Sequence, residues 1–332
     1  NTGFIVFNDW TYPNFIRLMQ HLGVATEASD MSFSVRCDRL GLEYNGANLN
    51  RLFCQRKNLV NLRFWRMIKD IMRFNQEATT AYRQGDLDSG VTLGEYLRQN
   101  DYSSEFSRYY IIPMGAAIWS ASEADMMQFP AAFFVRFFHH HGLLSIDDRP
   151  QWRVISGGSH SYVKAMHHRL RGAVHANRAI RSIVRHEDGV TLVDQTGAQW
   201  QFDAVVLACH SDQALSMLAA PSADEQAVLG AIPYQENSVV LHTDTRLLPR
   251  NRLGWAAWNY RIPVQAGQPV TVTYNMNILQ NFTGPTTFCV SLNQDADINP
   301  DKILRRFRYS HPGFTLKGMD AQQCFSEING RH

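Results

Sequence analysis

The sequence predicts an α/β fold of mixed α+β type, and three observations carry that expectation. Residues 48–140 follow the helical period, with apolar residues three and four apart. After about residue 150 the period changes to two, with Asp188-Gly189 and Thr196-Gly197 as hairpin signals. The Asp-Ala-Val-Val-Leu-Ala run at 203–208 is continuously apolar after its first residue, the pattern of a strand buried on both faces of a parallel sheet.

Taken in order, residues 3–7 read as a strand. Tyr12-Pro13-Asn14 then introduces an amphipathic helix with Phe15, Leu18, Met19 and Leu22 on one face, stopping at Gly23. Residues 31–46, where Phe33, Val35, Leu40, Leu42 and Tyr44 stand among polar neighbours and Asn45-Gly46 closes the run, read as a hairpin or meander. Within the helical region, 62–74 is apolar around most of its circumference, with a stripe at Arg63, Arg66, Asp70 and Arg73. Eight basic residues face two acidic ones between 51 and 83. Two readings stay open for 62–74: a core helix with one solvated edge, or a helix in peripheral contact with a membrane surface. Further strands are expected at 174–183, 190–193, 200–202, 204–208, 238–243, 253–260, 270–276 and 287–292. Helices are expected at 162–170, at 212–218 and near 300–307.

A net charge of +2 gives no reason to expect a nucleic-acid partner. Five widely spaced cysteines without a Cys-x-x-Cys read as reduced thiols of a cytoplasmic protein. No apolar run approaches the length that spans a bilayer. Metal binding is not expected, because His139, His140 and His141, like His167 and His168, have no carboxylate or histidine at zincin spacing. Asn1 in place of an initiator Met, and the turn-like Asn329-Gly330-Arg331-His332 at the other end, read as the interior of a longer protein.

The Val154–Val163 stretch, with Gly157-Gly158-Ser159 before a helical segment, invites a phosphate turn or a nucleophile elbow. No two glycines are separated by a single residue, so a dinucleotide fingerprint does not occur. Position 161 is Ser where the elbow needs Gly. Ser159 is therefore expected to cap the following helix, and no catalytic residue is assigned.

The order of these features resembles the flavin-containing amine oxidase superfamily, which includes monoamine oxidases, protoporphyrinogen oxidase and carotenoid desaturases. The order is Thr2-Gly3-Phe4-Ile5, a helix ending at Gly23, Gly157-Gly158-Ser159 opening a helix, strands, then 203–208. The bacterial predicted NAD/FAD-binding protein branch is the nearer likeness. It rests on Tyr12-Pro13-Asn14, the Ile-Pro-Met-Gly-Ala-Ala-Ile-Trp-Ser run at 112–120, the His-Gly-Leu-Leu run at 141–144, Pro150-Gln151-Trp152 and the Tyr-Asn-Met-Asn run at 274–277.

The resemblance implies a partial FAD-binding, Rossmann-like domain interleaved with a substrate domain of antiparallel sheet plus helices. Residues 1–30 would be a flavin-domain remnant and the entry to the substrate domain, 31–150 the mainly helical part of the substrate domain, 151–220 the second portion of the FAD-binding domain, and 221–332 the substrate-domain sheet and the return toward the FAD domain. It also implies a fragment lacking both the N-terminal and the C-terminal flavin-binding segments, with FAD expected in the full-length protein and weak or absent in this fragment.

Gly3, Phe4 and Ile5 match the loop beside the isoalloxazine. Gly157, Gly158 and Ser159 match the helix-opening turn, Ile180 the adenine contact, and Ala208, Cys209 and His210 the strand end near the dinucleotide. The lysine that amine oxidases carry beside the flavin is replaced by Asn237 at the best-matching position. The implied function is thus an FAD-dependent dehydrogenase, desaturase or oxidase of an apolar, lipid-like substrate. The alternative is a non-catalytic lipid- or membrane-surface-binding module that has lost flavin. Trp119, Trp255, Trp258, Tyr260, Tyr274 and Met276 are candidates for the wall of a small-molecule pocket.

Overall fold

The computed structural model describes residues 4–264 and 271–330. Gly3 lies outside the described residues. The chain forms two compact units, one of residues 1–169 with 236–311 and the other of 170–235 with 312–332. Ile5 and Val6 pack on the same core as Val239, Ala257, Met276, Val290 and Leu292.

The first unit is built on a seven-stranded sheet. Its order is Ile303–Pro312, Tyr234–His242, Cys289–Leu292, Val272–Asn275, Trp258–Ile262, Phe33–Cys37, Leu42–Asn45. The hairpin expected over 31–46 is present, with Val35 opposite Tyr44. It joins the rest of the sheet through a parallel pairing of Phe33–Cys37 with Trp258–Ile262. A small antiparallel sheet sets Val6–Asn8 and Thr26–Ala28 on either side of Trp152–Ile155. The expected helix runs Pro13–Leu22 and ends at Gly23, whose φ of 68° is the left-handed value glycine adopts at little cost.

The helices between the hairpin and residue 140 pack around aromatic side chains. Phe74, Phe106, Phe134 and Phe138 are fully buried. Helix Leu62–Gln84 sets Phe64, Met67, Phe74 and Ala78 into this core and leaves Leu62, Trp65 and Met72 exposed. Asp70, expected on the solvated stripe, is buried: it accepts from the Ser103 amide at 2.9 Å and pairs with Arg73 at 3.4 Å.

The second unit holds the three-stranded antiparallel sheet Ile180–His186, Gly189–Asp194, Gln199–Phe202. Arg185 and Glu225 pair within it, Nη2 to Oε2 at 2.9 Å.

Several expectations are corrected. Residues 300–307 are not helical: a short 3-10 turn at Pro300–Lys302 leads into strand Ile303–Pro312. Ile303, Phe307 and Tyr309 fall on alternate positions, and the last two pack on the sheet's core, so period two overrides the basic residues between them. The apolar run at 204–208 is not a buried strand. No strand pairs with it among the described residues, and Val206 is 90% exposed. A strand buried on both faces requires neighbours to satisfy its backbone, which composition alone does not supply. Residues 174–179 precede the strand at Ile180–His186 rather than belonging to it. The strand expected at 253–260 begins only at Trp258, after a 3-10 turn at Arg252–Gly254.

Candidate functional site

In the first unit an apolar cavity of about 170 Å³ is lined by Val6, Tyr12, Met31, Phe33, Met114, Ile118, Phe137, His141, Leu143, Trp152 and Trp258. Pairing register explains why residues distant in sequence meet there. Trp258 lies opposite Phe33 on one side and Tyr274 on the other, and the Tyr274 ring meets the indole edge-on at 4.8 Å. Beside Trp258, buried Asn259 spends its amide fully. Oδ1 accepts from Ser34 Oγ at 2.8 Å and the Ala256 N–H at 3.0 Å; Nδ2 donates to the carbonyls of Ala256 at 2.7 Å and Thr273 at 3.0 Å. Four bonds on one amide fix the strand that carries the tryptophan.

Met114 and Ile118 sit four apart on helix Ile112–Trp119, so both face the cavity. Pro113 has no N–H to offer the Tyr109 carbonyl one turn earlier. The Tyr44 hydroxyl donates to that carbonyl at 2.6 Å instead, and a single π-helical turn, Ser107–Ile111, precedes the helix. Tyr12 is placed by the turn after Val6–Asn8, where Asn8 Oδ1 accepts from Trp10 N, Thr11 N and Thr11 Oγ1 at 2.9–3.0 Å. His141 ends helix Ala131–His140, stacks on Phe137 with centroids 3.8 Å apart, and meets the Phe137 carbonyl through Nδ1 at 2.8 Å. Burial lowers its pKa, with His140 adding to the effect and the Phe137 bond opposing it, which favours neutral imidazole. Burial also raises the Tyr12 pKa. The cavity wall therefore carries no charge at neutral pH, and among the described residues one buried donor, Trp258 Nε1, has no hydrogen-bond partner.

Of the residues expected in a pocket wall, Trp258 lines this cavity and Tyr274 supports it. Trp119 is packed among Phe129, Phe133, Phe134, Phe137 and Phe138. Trp255 donates to the Pro249 carbonyl at 2.8 Å, while Tyr260 and Met276 are buried in the core. Tyr12, Met114, Ile118, His141 and Trp152 were not singled out as pocket residues. The Tyr12-Pro13-Asn14, 112–120, 141–144 and 150–152 motifs that contain them were the available signal.

Phe4, Gly157, Gly158 and Ser159 come together in the first unit. The two glycines adopt φ of 76° and 82°, and the Ser159 hydroxyl donates to the Phe4 carbonyl at 2.8 Å. That bond ties the turn to the Phe4 loop, and Ser159 stands directly before helix His160–Arg169. Ile180 begins a strand of the second unit, and Ala208 and Cys209 are exposed in that unit. Asn237 is fully buried; its Nδ2 meets His311 Nδ1 at 3.0 Å and its Oδ1 accepts from Asn293 Nδ2 at 2.8 Å. A neutral, immobilised amide occupies the position where the resemblance places a lysine.

A family model described as flavin containing amine oxidoreductase matches residues 1–287. No curated protein matches the chain. Among solved structures, a fatty acid isomerase from P. acnes that produces CLA is similar with a TM-score of 0.67 at 14% identity, covering 100% of this chain and 80% of that one. A cofactor-binding redesign of putrescine oxidase gives 0.63 at 12% identity, covering 99% and 80%. A putative protoporphyrinogen oxidase from Exiguobacterium sp. 255-15 gives 0.59 at 12% identity, covering 95% and 78%. At these identities the structural likeness concerns the fold.

Proposed function

Because the chain belongs to the flavin-containing amine oxidoreductase family, we propose that it shapes the substrate side of an FAD-dependent dehydrogenase, desaturase or oxidase acting on an apolar, lipid-like substrate. The cavity is the observation that carries this reading. Its wall is apolar and uncharged, and among the described residues its buried donor Trp258 Nε1 has no hydrogen-bond partner. Such a wall favours a neutral hydrocarbon-rich ligand over an ammonium ion, which would lose its hydration without gaining a counter-charge.

A flavin supplies hydride acceptance when bound. The residues present fit its ring end: Phe4 is partly exposed beside the glycine turn at 157–158, whose backbone carries no side chains to bar a planar group. Phe4, Ile5, Gly157 and Gly158 would hold that end. Because the sequence has no Gly-x-Gly-x-x-Gly turn to cradle the pyrophosphate, this chain is expected to bind FAD weakly or not at all. A flavin-fluorescence titration giving micromolar affinity or tighter contradicts that. The chain's own part in turnover is to desolvate substrate: Phe33, Met114, Ile118 and Trp258 exclude water.

The test uses the full-length protein that carries this chain, loaded with flavin, with anaerobic bleaching of the flavin as readout. Unsaturated or alicyclic neutral substrates are expected to reduce it faster than alkyl amines. Ile118→Trp, which fills the cavity, is expected to raise KM at least about tenfold, the equivalent of one lost apolar contact of ~1.4 kcal/mol. Preference for amines, or indifference to the filled cavity, overturns the reading.

A further inference from the structure

A second cavity, of about 510 Å³, lies where the turn of the 33–45 hairpin meets the 3-10 turn Arg56–Val60 and the start of helix Leu62–Gln84. Its wall carries four cations, Arg39, Lys57, Arg63 and Arg108, against one carboxylate, Glu105. Glu105 is engaged by Arg66 at 3.6 Å and by the Ser104 hydroxyl at 3.3 Å. Lys57 Nζ donates to the Gly41 carbonyl at 3.3 Å. Among the described residues, the guanidinium groups of Arg39, Arg63 and Arg108 have no ion-pair or hydrogen-bond partner.

Asn58 in the same wall is 1% exposed, and among the described residues its Nδ2 has no hydrogen-bond partner. Buried amides in folded proteins are nearly always satisfied, so an unpaired one lining a cavity marks a place for a ligand acceptor. Beside three unpaired guanidinium groups, the acceptor called for is an oxyanion, and the planar guanidinium fork matches the oxygens of a phosphate.

The rim decides which phosphate. Leu40 lines the cavity, and Val60 and Leu62, at 85% and 82% exposure, alternate in sequence with the wall residues around them. Trp65 is exposed one turn further on, its indole N–H held by the Leu59 carbonyl at 2.9 Å. A soluble phosphate has no use for exposed apolar side chains around its site, whereas a lipid offers acyl chains to the rim and a headgroup to the cations.

We propose that this cavity binds the phosphate of an anionic phospholipid, with Val60, Leu62 and Trp65 entering the lipid surface around it. The proposal is independent of the flavin reading, and its test reads neither flavin nor activity.

The protein is sedimented with vesicles of phosphatidylcholine alone and of phosphatidylcholine containing phosphatidylglycerol. Several-fold greater binding to the anionic vesicles is expected, weakening as salt rises. Asn58→Asp, nearly isosteric, sets a like charge against the phosphate and is expected to abolish the preference. Leu62→Ser is expected to weaken vesicle binding, and Arg83→Gln, outside the cavity, to leave it unchanged. Should Asn58→Asp lose its circular-dichroism signature of folding, the double change Arg63→Gln with Arg108→Gln carries the same expectation. Equal binding to both vesicle types, or an unchanged preference in these cavity variants, overturns the proposal. So does a rise in Tm with inorganic phosphate at matched ionic strength in a protein that ignores anionic vesicles, because the ligand is then a soluble phosphate.

Discussion

His242 is fully buried at the end of strand Tyr234–His242, and its ring has a fixed tautomer. Nδ1 accepts from the Asp244 N–H at 3.1 Å, so the proton belongs on Nε2, which faces Ser291 Oγ at 2.8 Å. Burial lowers the pKa from 6.5 to about 4, with the Asp244 carboxylate pulling the other way. The unfolded chain therefore takes up a proton at a pH where the folded protein does not. Stability is whole above pH 6.5 and is lost as pH falls toward about 4, a total of ~3 kcal/mol. Urea midpoints followed from neutral pH down to about pH 4 are expected to fall less steeply in His242→Gln than in the wild type. Parallel curves exclude this histidine as the source of acid sensitivity.

At the scale of elements, Gly142 connects helix Ala131–His140 to the segment that supplies Leu143 to the apolar cavity. Its φ is 66°, and a Cβ there would lie 2.4 Å from Pro150 Cδ and 3.2 Å from Trp10 Cζ3. Gly142→Ala combines backbone strain of ~1 kcal/mol with overpacking, for a loss of about 2–4 kcal/mol. Denaturant unfolding is expected to show that loss, and a change below about 0.5 kcal/mol would mean the turn relaxes freely. Legibility in sequence follows the same line between local and non-local causes. Helix Pro13–Leu22 was readable because its apolar spacing and its glycine stop are local, and so was the Phe33–Asn45 hairpin. Strand Ile303–Pro312 was missed although Ile303, Phe307 and Tyr309 alternate, because the arginines between them resemble a solvated helix face.

For the whole molecule, long-range packing decides which aromatic side chains line the cavity. Trp119 and Trp258 are equally plausible from composition, yet one is enclosed by five phenylalanines and the other faces open volume. Tyr12, Met114, His141 and Trp152 meet across three elements and a loop that no sequence period connects. The family itself was legible, because it rests on the order of short motifs.

The uncovered run at 204–208 has a consequence for the protein in solution. Ala204-Val205-Val206-Leu207-Ala208 has no charge and no proline, and its backbone, unpaired among the described residues, offers a template to a second molecule. Colloidal behaviour should accordingly depend on concentration more strongly than the modest net charge would lead one to expect. Light scattering on Val206→Lys is expected to show fewer large species than the wild type at the same concentration, with the melting temperature unchanged. A side chain left 90% exposed by its own fold then sets how crowded a solution the protein tolerates.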